Sequence, residues 1–414
     1  MPVLHRAAWL LPIAGPPIRD GWVLVDRGRI RAVGGPEDPV PQTPQLPVTK
    51  GRGTKGPAAR DLRETVAILP GLVNAHTHLE LSWMRGKVAP AGALPVWASR
   101  LIALRRTVPS ESMEPIPEAV RELRAAGTSL IGEVTNTLEA WDALAGSDLS
   151  AVVFRELLGF NAADPDNLVR IAHAELDALT PLPRIRTAVV PHAPYSVSPA
   201  LLRAIAGAAG DGPLSVHLGE SREELEFLQV GTGAWRLLLE ALGVWTDAWR
   251  APRCWPVEYL DRFGLVDKRL LAVHCVQLSD AELSRLAEAG ATVVTCPRSN
   301  RWTGAGTPPV ERFYASGARV AIGTDSLASV EDLSLFAELA VVRSLAPAVR
   351  AARILRSATL DGAEALGFAG ELGSIQPGKR AALIAVRIPP DVEDVEEYLL
   401  SNVAAKDIRW LDPD

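Results

Sequence analysis

Five of the seven histidines, one aspartate and one glutamate fall where apolar runs end. His76 and His78 break the stretch LPGLVNAHTHLELSWMRG. His192 ends RIRTAVVPH, His217 sits in LSVHLGE with Glu220 three residues on, His274 lies in LLAVHCV, and Asp325 ends RVAIGTD. A His-X-His pair on an extended backbone points both rings to one side, which alone is ambiguous between a metal site and an ordinary sheet. Core packing explains any one of these histidines but not five at strand ends. Neutral imidazoles and a carboxylate suit Zn²⁺ or Fe²⁺, and three histidines with one aspartate can hold a divalent ion and leave room for water. A bound cation brings the pKa of water toward about 7, making hydroxide available at neutral pH. Glu220 is then placed to shuttle a proton. His5, in a first strand, and His173, in the helical LVRIAHAELDAL, read as structural or surface groups.

The elements that must position these side chains are eight apolar runs: 67–76, 128–134, 150–157, 184–192, 214–220, 270–276, 291–297 and 319–325. Helical patterns lie between them. LSDAELSRLAEAG carries an N-cap Ser279, acidic residues in its first turn and a terminal glycine. Eight strand–helix units are the count of a (β/α)8 TIM barrel, whose active site lies at the C-terminal ends of the strands. A doubly wound sheet would show a Gly-rich phosphate turn after its first strand, and none is present. Before the barrel, GWVLVDRGRIRAVGG reads as a hairpin turning at Asp26-Arg27-Gly28, and residues 36–61 as an irregular loop rich in Pro, Gly and Lys/Arg. GELGSIQPGKRAALIAVRIPP reads as hairpin-like around Gln376-Pro377-Gly378. The expected organisation is a small β-sandwich domain built from both termini, residues 1–66 and 368–414, with the barrel, 67–367, inserted between. An excursion at 221–269 holds four of the eleven tryptophans. It reads either as a helical cap at the barrel mouth or as simple packing onto the barrel.

The chain has 414 residues, 48% hydrophobic and 22% charged, with a net charge of −6. That is enough chain for one large barrel and a small accessory domain, and its charge favours neither nucleic acid nor an anionic membrane. No apolar run approaches the roughly 20 residues of a membrane span, and the N-terminus reads as a strand rather than a signal peptide. Cys254, Cys275 and Cys296 are odd in number and widely spaced, which fits a reducing cytoplasm and core packing. Assembly, including a homodimer, is left open.

PGLVNAHTHLELS, VHLGES, LAVHCVQLSDAEL, TCPRSN and IGTDS, in this order, resemble the amidohydrolase superfamily, in its deaminase and chlorohydrolase branch. The tail GSIQPGKRAALIAV belongs to the same pattern, with Ala382 where the family more often has aspartate. The resemblance implies that His76, His78, His217 and Asp325 are metal ligands and that His274 orients the attacking water. Asp325 would also take that water's proton, and Glu220 would deliver one to the ring nitrogen beside the attacked carbon. Two-metal members carry a bridging carbamylated lysine on the fourth strand. RIRTAVVPHAPYS has no lysine, so a single metal is expected, zinc or iron, with His192 at the substrate.

The implied reaction is hydrolytic deamination of a purine-type base or nucleoside. REELEFL and the surrounding motifs point to aminofutalosine-type or thioether-adenosine substrates. Hydrolysis of a C–Cl bond or another cyclic amidine or amide is the alternative, and a non-catalytic scaffold a distant third. An anionic substrate calls for a cation, with Arg85, Arg155, Arg298 and Arg301 as candidates. Glu80, Trp83 and Glu156 are candidates for the ribose or base site.

Overall fold

The computed structural model describes residues 2–41, 58–107, 115–401 and 403–411. Strands β1 (Val3–Leu10), β2 (Ile18–Arg19), β3 (Trp22–Asp26), β4 (Arg29–Gly34) and β5 (Ala58–Pro70) precede the barrel. The expected hairpin is β3–β4, turning through Arg27 (φ 51°) and Gly28 (φ 70°). Both left-handed residues suit a tight turn that matches strand twist. Much of the expected loop 36–61 lies outside the described residues. Its end is a correction: residues 58–61 are already strand, paired in parallel with Val3–Arg6. Pairing with β1 overrides a composition that read as loop.

Eight further strands follow: β6 (Leu72–Thr77), β7 (Thr128–Thr135), β8 (Ser150–Leu157), β9 (Ile185–Pro191), β10 (Leu214–Leu218), β11 (Leu270–His274), β12 (Thr292–Thr295) and β13 (Arg319–Ile322). The apolar run at 67–76 therefore divides. β5 continues to Pro70, paired with β14 (Leu383–Arg387), and the barrel begins at Leu72. Pro70 has no N–H to continue a ladder. A Cβ on Gly71 would lie 2.6 Å from Trp410 and 2.7 Å from Ser129, so the break needs glycine.

β6–β9 and β10–β13 form two parallel four-stranded sheets. Backbone bonds join them at both edges: His217 N–H to His192 O at 2.9 Å, and Asp325 N–H to His76 O at 3.0 Å. The result is a mixed α/β fold with parallel sheets in a closed barrel arrangement. β6, β7, β10 and β11 are buried at every residue, as strands enclosed by helices must be. Ser279 caps the helix Asp280–Glu288 in a reciprocal capping box with Glu282.

β14 returns to the terminal sheet, followed by β15 (Ile408–Trp410), giving the order β15-β14-β5-β1-β3-β4 with β2 on β1. The segment around Gln376-Pro377-Gly378 is not a hairpin. Instead its turn docks on the β3–β4 hairpin, with Gly378 N–H donating to Ile30 O and Ala381 N–H to Gly28 O. Val66 and Ile68 of β5 face a core shared with β1, β3, β4 and β14, while Ala67 and Leu69 face the barrel core. Among the described residues no helix is long and apolar enough to cross a membrane. All three cysteines are buried and unpaired.

Candidate metal centre and active site

His76 and His78 converge from the end of β6, their Nε2 atoms 3.2 Å apart. Asp325 Oδ1 lies 3.9 Å from the first and 3.7 Å from the second. Asp325 follows β13 with φ 63°, and the Ser299 hydroxyl donates to its Oδ2 at 2.6 Å. His274, at the end of β11, also has positive φ, 74°. Left-handed backbone at two non-glycine site residues is strain that the surrounding fold must hold. The His217 ring lies 4.9 Å from His76 and 5.1 Å from His274, centre to centre. His217 Nδ1 is 3.0 Å from His274 Nε2, and the Asn300 amide reaches His274 Nδ1 at 3.0 Å.

Burial first, then the surrounding imidazoles, hold His76 and His274 well below the usual histidine range. Both are neutral, with lone pairs available. Burial also lowers His217, but the Glu156 carboxylate beside it overrides that and lifts it to about 9. The three carboxylates around His217 (Glu156, Glu220 and Asp325) thus call for positive charge at this point, which a metal cation supplies as well as a proton. His217 Nε2 is buried 3.5 Å from Glu156 Oε1 and makes no closer contact of hydrogen-bond geometry among the described residues. His76, His78 and Asp325 form one group able to hold an ion, and His76, His217 and His274 another. The donor set fits a divalent metal.

Glu220 Oε1 is 3.6 Å from His274 Nε2, and Oε2 is 3.8 Å from His217 Nδ1. Burial, with Asp325 and Glu224 nearby, raises its pKa to about 8, against the opposing pull of His217. Burial would also raise Glu156, but His192 and His217 drive it below the ordinary carboxylate range. Asn136 Nδ2 donates to Glu156 Oε2 at 2.9 Å. His192 is lowered to about 4, by burial against the opposing pull of Glu156, and its Nδ1 meets Ser196 Oγ at 2.6 Å.

His78, Glu156, His192, His217, Glu220, His274 and Asp325 line a cavity of about 570 Å³. Glu80 lines it. Its Oε2 accepts from Thr135 Oγ1, Asn136 N–H and both donors of Thr137, and its Oε1 from Arg105 at 3.2 Å. Glu156 and His192 line it as well. Two expected substrate contacts do not. Trp83 sits on the turn Leu79–Met84 under the Lys87 ammonium and outside the cavity. Arg155 alternates with the inward Glu156 on β8, so it points out to the helices and pairs with Glu175 at 2.8 Å. Arg85 pairs with Glu122, Arg298 with Glu338 and Asp332, and Arg301 is exposed outside the cavity.

The cations that do line the cavity are Arg105 and Arg106, on the helix Leu94–Thr107. Leu94, Trp97 and Leu101 of that helix line the cavity too, as do Leu238, Leu239 and Leu242. The Trp-rich excursion divides in function. Trp235 lines the cavity and stacks on Tyr195 at 3.7 Å, whereas Trp249 packs against Phe227 at 4.5 Å. Ser299 and Asn300 lie within TCPRSN, where two polar residues opening a helix after a strand are a usable signal.

Residues 67–405 match the amidohydrolase family. Over 322 residues the chain is 33% identical to an aminodeoxyfutalosine deaminase of Deinococcus radiodurans, covering 75% of this chain and 76% of the relative. It is 31% identical to a 5-methylthioadenosine/S-adenosylhomocysteine deaminase of Moorella thermoacetica, covering 98% and 91%. Among solved structures, an adenosine deaminase from Xanthomonas campestris with bound zinc superposes with a TM-score of 0.79 at 31% identity, covering 98% of this chain and 90% of the other. The chain belongs to the amidohydrolase family.

Proposed function

We propose that this protein is a one-metal aminohydrolase of an adenosine-type nucleoside: water replaces the exocyclic amine of the purine and ammonia leaves. The observation that carries this reading is the place of Glu220, a buried carboxyl 3.6 Å from His274 Nε2 and 3.8 Å from His217 Nδ1. In this reading His76, His78, His217 and Asp325 hold one divalent ion, zinc or iron. When bound, the ion polarises water toward hydroxide at neutral pH. His274, tied by Asn300, orients the water, and Asp325 accepts its proton. Glu220 gives a proton to the ring nitrogen beside the attacked carbon. Glu156, His192 and Glu80 contact the nucleoside. The apolar residues lining the cavity suit an apolar 5′ extension, and Arg105 and Arg106 suit an anionic group on it. Together with the named relatives, these features support aminodeoxyfutalosine or a thioether adenosine as substrate.

Hydrolysis of a ring C–Cl bond on the same site is the second reading. Chloride leaves without a proton whereas an amine leaves as ammonia only once protonated, so a second buried carboxyl beside Asp325 favours deamination, and a non-catalytic scaffold would leave the whole donor set unused. We read the terminal sheet around its own core as a small β-sandwich domain built from both termini, with β5 belonging to it through Pro70 and the barrel beginning at Leu72 rather than at residue 67. The unpaired cysteines support a cytoplasmic setting. The test is an ammonia- and chloride-release screen of zinc- and iron-loaded enzyme on adenosine, thioether adenosines, aminodeoxyfutalosine, guanine, cytosine and chlorinated triazines. Ammonia from the adenosine-type compounds supports the proposal; chloride without ammonia overturns it.

A further inference from the structure

We propose that Glu224 is a positioning residue for Glu220: its carboxylate clamps the backbone N–H groups of Gly219 and Glu220, and so fixes where the Glu220 carboxyl lies. The inference rests on the reading of Glu220 as proton donor. β10 ends at Leu218 and the chain turns at once through Gly219, φ +57°, before the helix Arg222–Val230. A Cβ on Gly219 would lie 2.3 Å from Leu278 Cδ2, so the turn is held tightly from one side. Glu224, fully buried in the first turn of that helix, holds it from the other. Its Oε1 accepts from Gly219 N–H at 2.9 Å and its Oε2 from Glu220 N–H at 3.0 Å.

This is more than a helix cap. Ser221 already caps the helix, accepting the Glu224 N–H at 3.3 Å, and Trp235 Nε1 donates to the same hydroxyl at 3.4 Å. In a capping box the acidic side chain reaches back to the N-cap N–H. Glu224 reaches beyond it, to the two residues that join the helix to the strand. Among the described residues no cation pairs with it. A buried carboxyl without a counter-ion is costly and is offset here by two hydrogen bonds and the helix N-terminus. With both oxygens committed to backbone N–H groups, the Glu220 backbone cannot swing, and its carboxyl stays beside His217 and His274. A misplacement of about 1 Å at reacting groups can cost roughly 10²-fold in rate.

The experiment measures kcat, KM and bound metal on zinc-loaded Glu224→Gln, Glu224→Ala, Glu220→Gln and the Glu220→Gln/Glu224→Gln double variant, using the best substrate of the release screen. Glu224→Gln, which keeps the volume and one acceptor, is expected to lower kcat about tenfold and Glu224→Ala about a hundredfold, with metal retained and KM nearly unchanged. In the Glu220→Gln background the Glu224→Gln change is expected to cost less than about twofold, because the group it positions is already disabled. Unchanged kcat in both Glu224 variants overturns the proposal, as does an equal loss in both backgrounds, which marks a general structural role. If Glu224→Ala does not fold, Glu224→Gln and the double variant carry the test. Wild-type kcat in Glu220→Gln overturns the proton-donor reading itself and is read independently of the Glu224 arms.

Discussion

The backbone N–H of Asp325 donates to the carbonyl of His76 across 3.0 Å. That bond joins the last barrel strand to the first, and the side chains of the same two residues converge 3.9 Å apart. The other seam is alike, with His217 N–H bonded to His192 O at 2.9 Å. Both joints between the two four-stranded sheets thus lie among the site residues. On the proposed ligand set of His76, His78, His217 and Asp325, a bound ion would tie the ends of β6 and β10 to the residue that closes the barrel after β13.

Metal removal is therefore expected to lower stability as well as activity. A ligand at a hundredfold over its Kd stabilises by about 2.7 kcal/mol, which for a chain of this size corresponds to a Tm shift of roughly 3 °C. Calorimetry of chelated and zinc-restored enzyme checks the shift, and amide exchange is expected to quicken at Asp325 and His217. An unchanged Tm with full loss of metal counts against the bridging role.

Glu220→Gln keeps shape and volume but cannot cycle a proton. Its kcat is expected to fall by about 10²–10⁴-fold while elemental analysis finds the metal retained. Loss of metal together with activity would place Glu220 among the ligands instead.

Ser299 and Asn300 act on the site through Asp325 and His274. Groups that hydrogen-bond a metal ligand typically contribute about 10–100-fold in metal affinity or activity. Ser299→Ala is expected to weaken metal binding on that scale, measured by competition with a chelator. Asn300→Ala is expected to lower kcat comparably with the metal in place.

Arg106 lines the cavity with no ion pair among the described residues, whereas Arg105 is paired to Glu80. Arg106→Gln is expected to raise KM about tenfold for an adenosine carrying a carboxylate on its 5′ extension, the worth of one modest ionic contact. For neutral 5′-methylthioadenosine KM is expected to hold. Equal changes for both substrates would remove Arg106 from recognition.

The parallel strands and the cluster of titratable residues at their ends were legible because most of these strands are buried apolar runs that end in those residues. His76, His78, His192, His217, His274 and Asp325 all come together as that pattern required. What failed was orientation within elements. Arg155 and Glu156 are neighbours in sequence, but strand alternation sends one outward and the other into the site. Arg105 and Arg106 carry no local signal, because only tertiary packing lays the helix Leu94–Thr107 along the cavity. The start of β5 was hidden by a Lys- and Gly-rich composition that pairing with β1 overrides.

The most direct test of one-metal deamination is a titration of metal-free enzyme with zinc, following ammonia release from aminodeoxyfutalosine and 5′-methylthioadenosine. Activity is predicted to rise linearly and saturate at one zinc per chain. Saturation at two, full activity without metal, or no ammonia at any ratio would contradict it.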